Sequence, residues 1–212
     1  NMIKSTLGFA PVQGRLAEAV QSITDLRDLF VECGANQSIA YAVSSGQYFG
    51  NFQIRAFTDS NDHIRQVSEK IQSSDFYNQW ASDPSPATVR LGVIRTEDIA
   101  FSGDRDAVIN GETGATTTIG MIAKPGRIIE LEERLTGWTD VWVGTGATAC
   151  QISRAVTGLP VDHYFLNIMM KNSGELDGIL ENMRQTAAWN ALATNTDPVS
   201  EIVSNTLLTR LP

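Results

Sequence analysis

The chain has 212 residues, 42% of them hydrophobic and 19% charged, with a formal net charge of −8 and an isoelectric point near 4.7. An acidic surface repels phosphate backbones and anionic headgroups, so neither nucleic acid nor a membrane is expected as a partner. No run of 18 apolar residues is present, and no basic stretch leads into an apolar one at the N-terminus as a secretory signal would.

Residues 2–10 alternate as a strand, with Ile3, Leu7 and Phe9 on one side and Lys4, Thr6 and Gly8 on the other. Past Pro11 and Gly14 the period lengthens, and Leu16, Val20, Ile23, Leu26 and Phe30 mark one face of a helix that Gly34 ends. Strands are expected over 37–44 and 48–58. Asp59-Ser60-Asn61-Asp62 then offers side-chain acceptors to the open first turn of a helix through Ile64, Val67 and Ile71. That helix is expected to break at Ser73-Ser74 before Phe76, Tyr77 and Trp80, and a strand over 88–95 follows.

The order then recurs. A strand at 116–123 precedes a helix with Ile128, Leu131, Leu135, Trp138 and Trp142 on its apolar face. Strands at 150–157 and 162–171, a helix carrying Leu176, Ile179, Met183 and Leu192, and a strand at 201–209 complete the set. The two series are offset by 112 residues. Over the 31 residues from Thr6 to Asn36, ten are identical after the shift: Thr6, Gly8, Gly14, Arg15, Glu18, Thr24, Asp28, Val31, Gly34 and Ala35. Unrelated segments would share roughly two. The chain is therefore a tandem duplication. Its halves span 1–95 and 115–212, and the acidic, turn-rich stretch 96–114, which has no counterpart, reads as a linker.

Each half is β-α-β-β-α-β, the ferredoxin-like order of the α+β class, in which both helices cover one face of a four-stranded antiparallel sheet. The two bare faces are expected to pack face to face as a barrel. With this architecture and these helix stripes, nearly the whole chain resembles the dimeric α+β barrel superfamily, including antibiotic-biosynthesis monooxygenase and NIPSNAP-like proteins. Here both units lie in one chain. The resemblance implies small-molecule binding, or cofactor-independent oxygenase, isomerase or cyclase chemistry, and a homo-oligomer is compatible with it. Haem occurs in relatives of this fold, but no pattern here singles out an axial histidine, and no cofactor is expected. The competing reading is a non-catalytic assembly protein whose barrel is packed solid.

Strand parity places the candidate site. Phe52, Ile54 and Ala56 suit the helix-covered side, so Asn51, Gln53 and Arg55 are expected inside the barrel, opposite His163, Phe165 and Asn167. Arg55 can hold a carboxylate bidentately and would anchor an organic acid or other small organic molecule. Tyr41 is a further candidate wall residue. His163 is the candidate proton carrier, although alternation sets its neighbours Asp162 and Tyr164 on the opposite face. His63, in a first helical turn, is expected to be solvated. Two isolated histidines do not suggest a metal site. Arg15 and Arg127 recur at helix starts, unfavourable places for a cation, and are each expected to hold a carboxylate. Cys33 and Cys150 are neither paired in a CxxC nor equivalent in the repeat, which fits a reducing cytoplasm without disulfides.

Overall fold

The computed structural model describes residues 2–212. These residues form eight strands and seven α-helices: β1 (Ile3–Pro11), α1 (Leu16–Glu32), β2 (Gln37–Ser45), β3 (Phe52–Thr58), α2 (Asn61–Gln72), α3 (Asp75–Ser82), β4 (Thr88–Gly103) and α4 (Arg105–Ile109). The second half continues with β5 (Ala115–Ala123), α5 (Ile128–Gly144), β6 (Ala149–Thr157), β7 (His163–Met170), α6 (Leu176–Arg184), α7 (Ala187–Ala193) and β8 (Ser200–Arg210).

All strand pairs are antiparallel, in the closed order β1-β3-β2-β8-β5-β7-β6-β4. Each half keeps the ferredoxin-like order 4-1-3-2. The halves meet edge to edge, β2 on β8 and β4 on β6, so backbone hydrogen bonds close the barrel. The two sheets expected to face each other as a barrel are joined through their edges, and the free strand edges are used up in the closure. Adding four to every strand number returns the same ring. Because neighbours alternate in direction, β1 and β5 run the same way, and the axis relating the halves lies along the barrel. Equivalent residues therefore sit at the same height.

Alternation divides the side chains cleanly. Phe9, Ile23, Phe30, Ile54, Ile64 and Val67 form the core between the first sheet and its helices, and Leu131, Trp142, Ile152, Tyr164, Ile168 and Met183 form the second. A third cluster, Ile39, Tyr41, Val43 and Leu208, lies inside the barrel. The local signals repeat along with the packing. Ser74 accepts the Tyr77 N–H to start α3, and Thr186, its equivalent, accepts that of Trp189 to start α7. Gly34 and Gly146 follow the ends of α1 and α5 at φ of 107° and 112°, a conformation side chains rarely adopt. Arg15 and Arg127 do hold carboxylates one turn on, Glu18 at 2.5 Å and Glu130 at 2.6 Å. The stripe of α1 falls short at its start, where Leu16 in the first turn is 60% exposed.

The stretch expected as a linker is largely structured. β4 runs on to Gly103, pairing with β1 along its first part and with β6 from Arg95. The connection then turns into α4, whose Val108 packs on Ala149 and Met169 of the barrel interior. One end of the barrel is thus covered by α4. At the other end lie Gln53, Asn51 and the loop carrying Tyr48.

Candidate functional site

β3 places Arg55 inside the barrel, as parity requires, with only 5% of its surface exposed. Its Nη1 donates to Asn167 Oδ1 at 2.9 Å and its Nη2 to Thr118 Oγ1 at 2.9 Å, with a longer contact of 3.5 Å to Gln53 Oε1. The guanidinium carbon lies 5.2 Å from the centre of the Tyr41 ring. No carboxylate is among these partners. Burial pulls the guanidinium below its ordinary range, and the Tyr41 phenol opposes that; arginine nevertheless keeps its charge. Nε of Arg55, Nδ2 of Asn167 and Oγ1 of Thr96 are buried with no hydrogen-bond partner in the protein.

A second cation shares the interior. Lys4 on β1 is 3% exposed, and its Nζ donates to Gln151 Oε1 and Ser153 Oγ, both at 3.2 Å. Gln151 is held in place because its Nε2 donates to both oxygens of Asp98 at 2.9 Å, which turns its carbonyl toward Lys4. Burial, with the like charge of Arg55 adding to it, lowers the ammonium from 10.5 to about 7, against an upward pull from Asp98. Burial likewise raises the Asp98 carboxyl, with Lys4 and Gln151 opposing.

Lys4 and Arg55 line one cavity of about 120 Å³, with Thr118, Asn167, Thr6 and Phe165 among its other walls. A smaller cavity of about 80 Å³ lies on the α4 side of Arg55, against Tyr41 and Gln151. The barrel interior thus holds cavities beside packed side chains such as Ile39, Val43 and Leu208. Thr6, Tyr48, Gln53 and Ile94 also line a wider depression of about 440 Å³ at the uncovered end, which adjoins the cavity. Asn51 stands in that depression, further out than Gln53.

His163 lies apart from this cavity. It begins β7 at the uncovered end, with a side chain 17% exposed, and its Nδ1 is 2.9 Å from Asp162 Oδ1. Alternation was expected to keep Asp162 away. It does not, because Asp162 precedes the strand and is free of the pleat. Tyr164 obeys the alternation, facing α5 and donating to Glu132 at 2.7 Å. His63 is tied to its own surroundings, with Nε2 2.9 Å from the Gly34 carbonyl.

Sequence reasoning overlooked Lys4 and Asp98. The alternation of β1 already set Lys4 opposite Leu7 and Phe9, but a lysine there passes for a solvated face. Asp98 was hidden in the supposed linker.

A further cleft lies on the helix side of the first sheet. About 340 Å³ opens between the first sheet and its helices, walled by Leu26, Phe30, Ile71, Tyr77 and Trp80, with Arg90 and Arg95 among its polar residues. It has no histidine, cysteine or methionine to serve as an axial ligand. Among the described residues no cluster of three histidine, cysteine or acidic side chains is placed to hold a metal, and no helix is long and apolar enough to cross a membrane.

No protein-family model matches the chain, and no curated protein matches it in sequence. Solved structures do match. A candidate monooxygenase from Lactobacillus acidophilus NCFM is 7% identical with a TM-score of 0.67, over 99% of this chain and 93% of that one. An anthrone oxidase-like protein is 12% identical with a TM-score of 0.58, over 100% and 91%. A variant of the chlorite dismutase from Candidatus Nitrospira defluvii is 9% identical with a TM-score of 0.57, over 100% and 92%. At such identities the likeness is one of fold alone: an α+β protein with ferredoxin-like strand order in each half.

Proposed function

We propose that the chain binds a small organic acid inside its barrel, with Arg55 as the anchor and Gln53, Asn167 and Tyr41 around it. One observation carries this reading: two buried cations, Lys4 and Arg55, line a single cavity on whose wall no carboxylate stands among the described residues. A buried charge without a counter-ion is costly. The nearest acid, Asp98, reaches Lys4 only through Gln151. A ligand carboxylate would supply the missing negative charge and meet the fork of Arg55. Asn51 and Tyr48 belong to the route of entry. If the protein is an enzyme of the cofactor-independent kind, the proton-transferring group is Lys4, since His163 is remote from the cavity; His163→Gln is then expected to leave binding unchanged.

The test is titration calorimetry with propionate and lactate on the parent and on Arg55→Met. Loss of affinity by tenfold or more in the variant is expected, in line with removal of a bidentate charged pair. Equal affinity in both proteins, or none in the parent, overturns the reading.

A second reading is favoured by the asymmetry of the halves. Where the first half has Leu26 and Phe30 around its helix-side cleft, the second has Trp138 and Trp142, larger side chains that belong to its core. An apolar, ring-shaped ligand suits the open cleft. Leu26→Trp should then abolish the fluorescence of an apolar dye bound there, and an undiminished signal would dismiss the cleft.

A further inference from the structure

We propose that the amine of Lys4 condenses with the carbonyl carbon of a small 2-oxo acid whose carboxylate rests on Arg55. This deepens the proposed function and rests on its placing of an organic acid in the barrel.

The geometry supplies the pieces. Lys4 and Arg55 line the same cavity, so one small molecule can meet both. The cavity volume of about 120 Å³ is roughly ten times what one water requires, which suits a molecule of pyruvate size. A neutral amine has two N–H bonds and one lone pair. Gln151 Oε1 and Ser153 Oγ are positioned to take the two hydrogens, and Gln151 cannot turn its amide round without abandoning Asp98. The lone pair is then left for a third direction.

The charged and titratable groups around the amine come from several elements: Arg55 on β3, Asp98 on β4, and Tyr48 in the loop before β3. Burial and the like charge of Arg55 hold the amine near pH 7 partly neutral, a recognised way of making a lysine nucleophilic. In the condensation a C–N bond forms as the carbonyl π electrons move to oxygen, giving a carbinolamine. The oxygen then leaves as water with the two hydrogens of the amine, and a C=N bond remains. No oxidant or reductant is needed. If the imine takes up a proton, the one ligand carboxylate is shared between it and Arg55.

The experiment incubates the intact protein with pyruvate and sodium cyanoborohydride, then locates the reduced adduct by peptide mass mapping. The chain has three other lysines, Lys70, Lys124 and Lys171, all exposed, which serve as internal controls. The expected result is one adduct on Lys4, absent from Lys4→Met, slowed at least tenfold in Arg55→Met, and suppressed by excess propionate. Modification of the surface lysines with Lys4 untouched overturns the imine. Should Lys4→Met fail to fold, mapping of the parent still decides. Arg55-dependent propionate binding without a Lys4 adduct removes the imine alone, whereas absence of both propionate binding and adduct removes the site.

Discussion

Lys4 has thermodynamic consequences whether or not a ligand binds. The unfolded chain takes up its proton at the ordinary value of 10.5, the folded protein only near 7. Between these values the unfolded state holds more protons, so this group makes stability rise with pH through that window. Below about 7 both states are protonated and the penalty is complete, on the order of 5 kcal/mol from the size of the shift. Lys4→Met should therefore gain melting temperature relative to the parent at pH 7, and the gain should shrink as pH approaches 10.5. Lost hydrogen bonds to Gln151 and Ser153 lower the whole difference without altering its slope. A difference independent of pH would show that the folded protein keeps Lys4 fully charged.

At the scale of the element, α5 illustrates how far side-chain pattern reaches. Trp142 is 3% exposed against the second sheet, so Trp142→Ala should cost about 3–5 kcal/mol in chemical denaturation. Trp142→Phe should cost much less, since Phe30 fills the equivalent place and the indole N–H, which has no acceptor in the protein, is removed. A similar loss in both would mean that the site depends on the indole itself. These burials were legible because a 3.6-residue stripe recurred after 112 residues, and the inward direction of Gln53 and Arg55 was legible from a period of two. The extension of β4 and the capping role of α4 were not. Residues 96–98 are all polar, since Thr96 and Asp98 look into a partly polar interior, and register shifts at Arg95/Thr96 and Asp98/Ala100 break the alternation of the rest. The pairing of Lys4 with Gln151 depends on two strands brought together from 147 positions apart, which no local pattern encodes.

For the whole molecule, the meeting of Arg55 with Asn167 bears on how such a barrel could have arisen. The two residues are 112 positions apart, the offset of the repeat, and they touch across the axis. In an assembly of two identical subunits, any side chain reaching that axis faces its own copy. Two guanidiniums would repel, and two amides would offer no cation. Two units of different sequence are free of that constraint, so that a donor can face an acceptor. Carrying both units in one chain thus does more than tether them: it leaves the centre of the barrel free of self-complementarity. On this account Asn167→Arg, which sets two arginines against each other, should destabilise the protein by several kcal/mol. The exchange Arg55→Asn with Asn167→Arg should recover much of the loss, because Thr6 stands where Thr118 stood. Equilibrium unfolding of the single and double variants would measure that recovery, and its absence would mean the asymmetry is anchored by more than this pair.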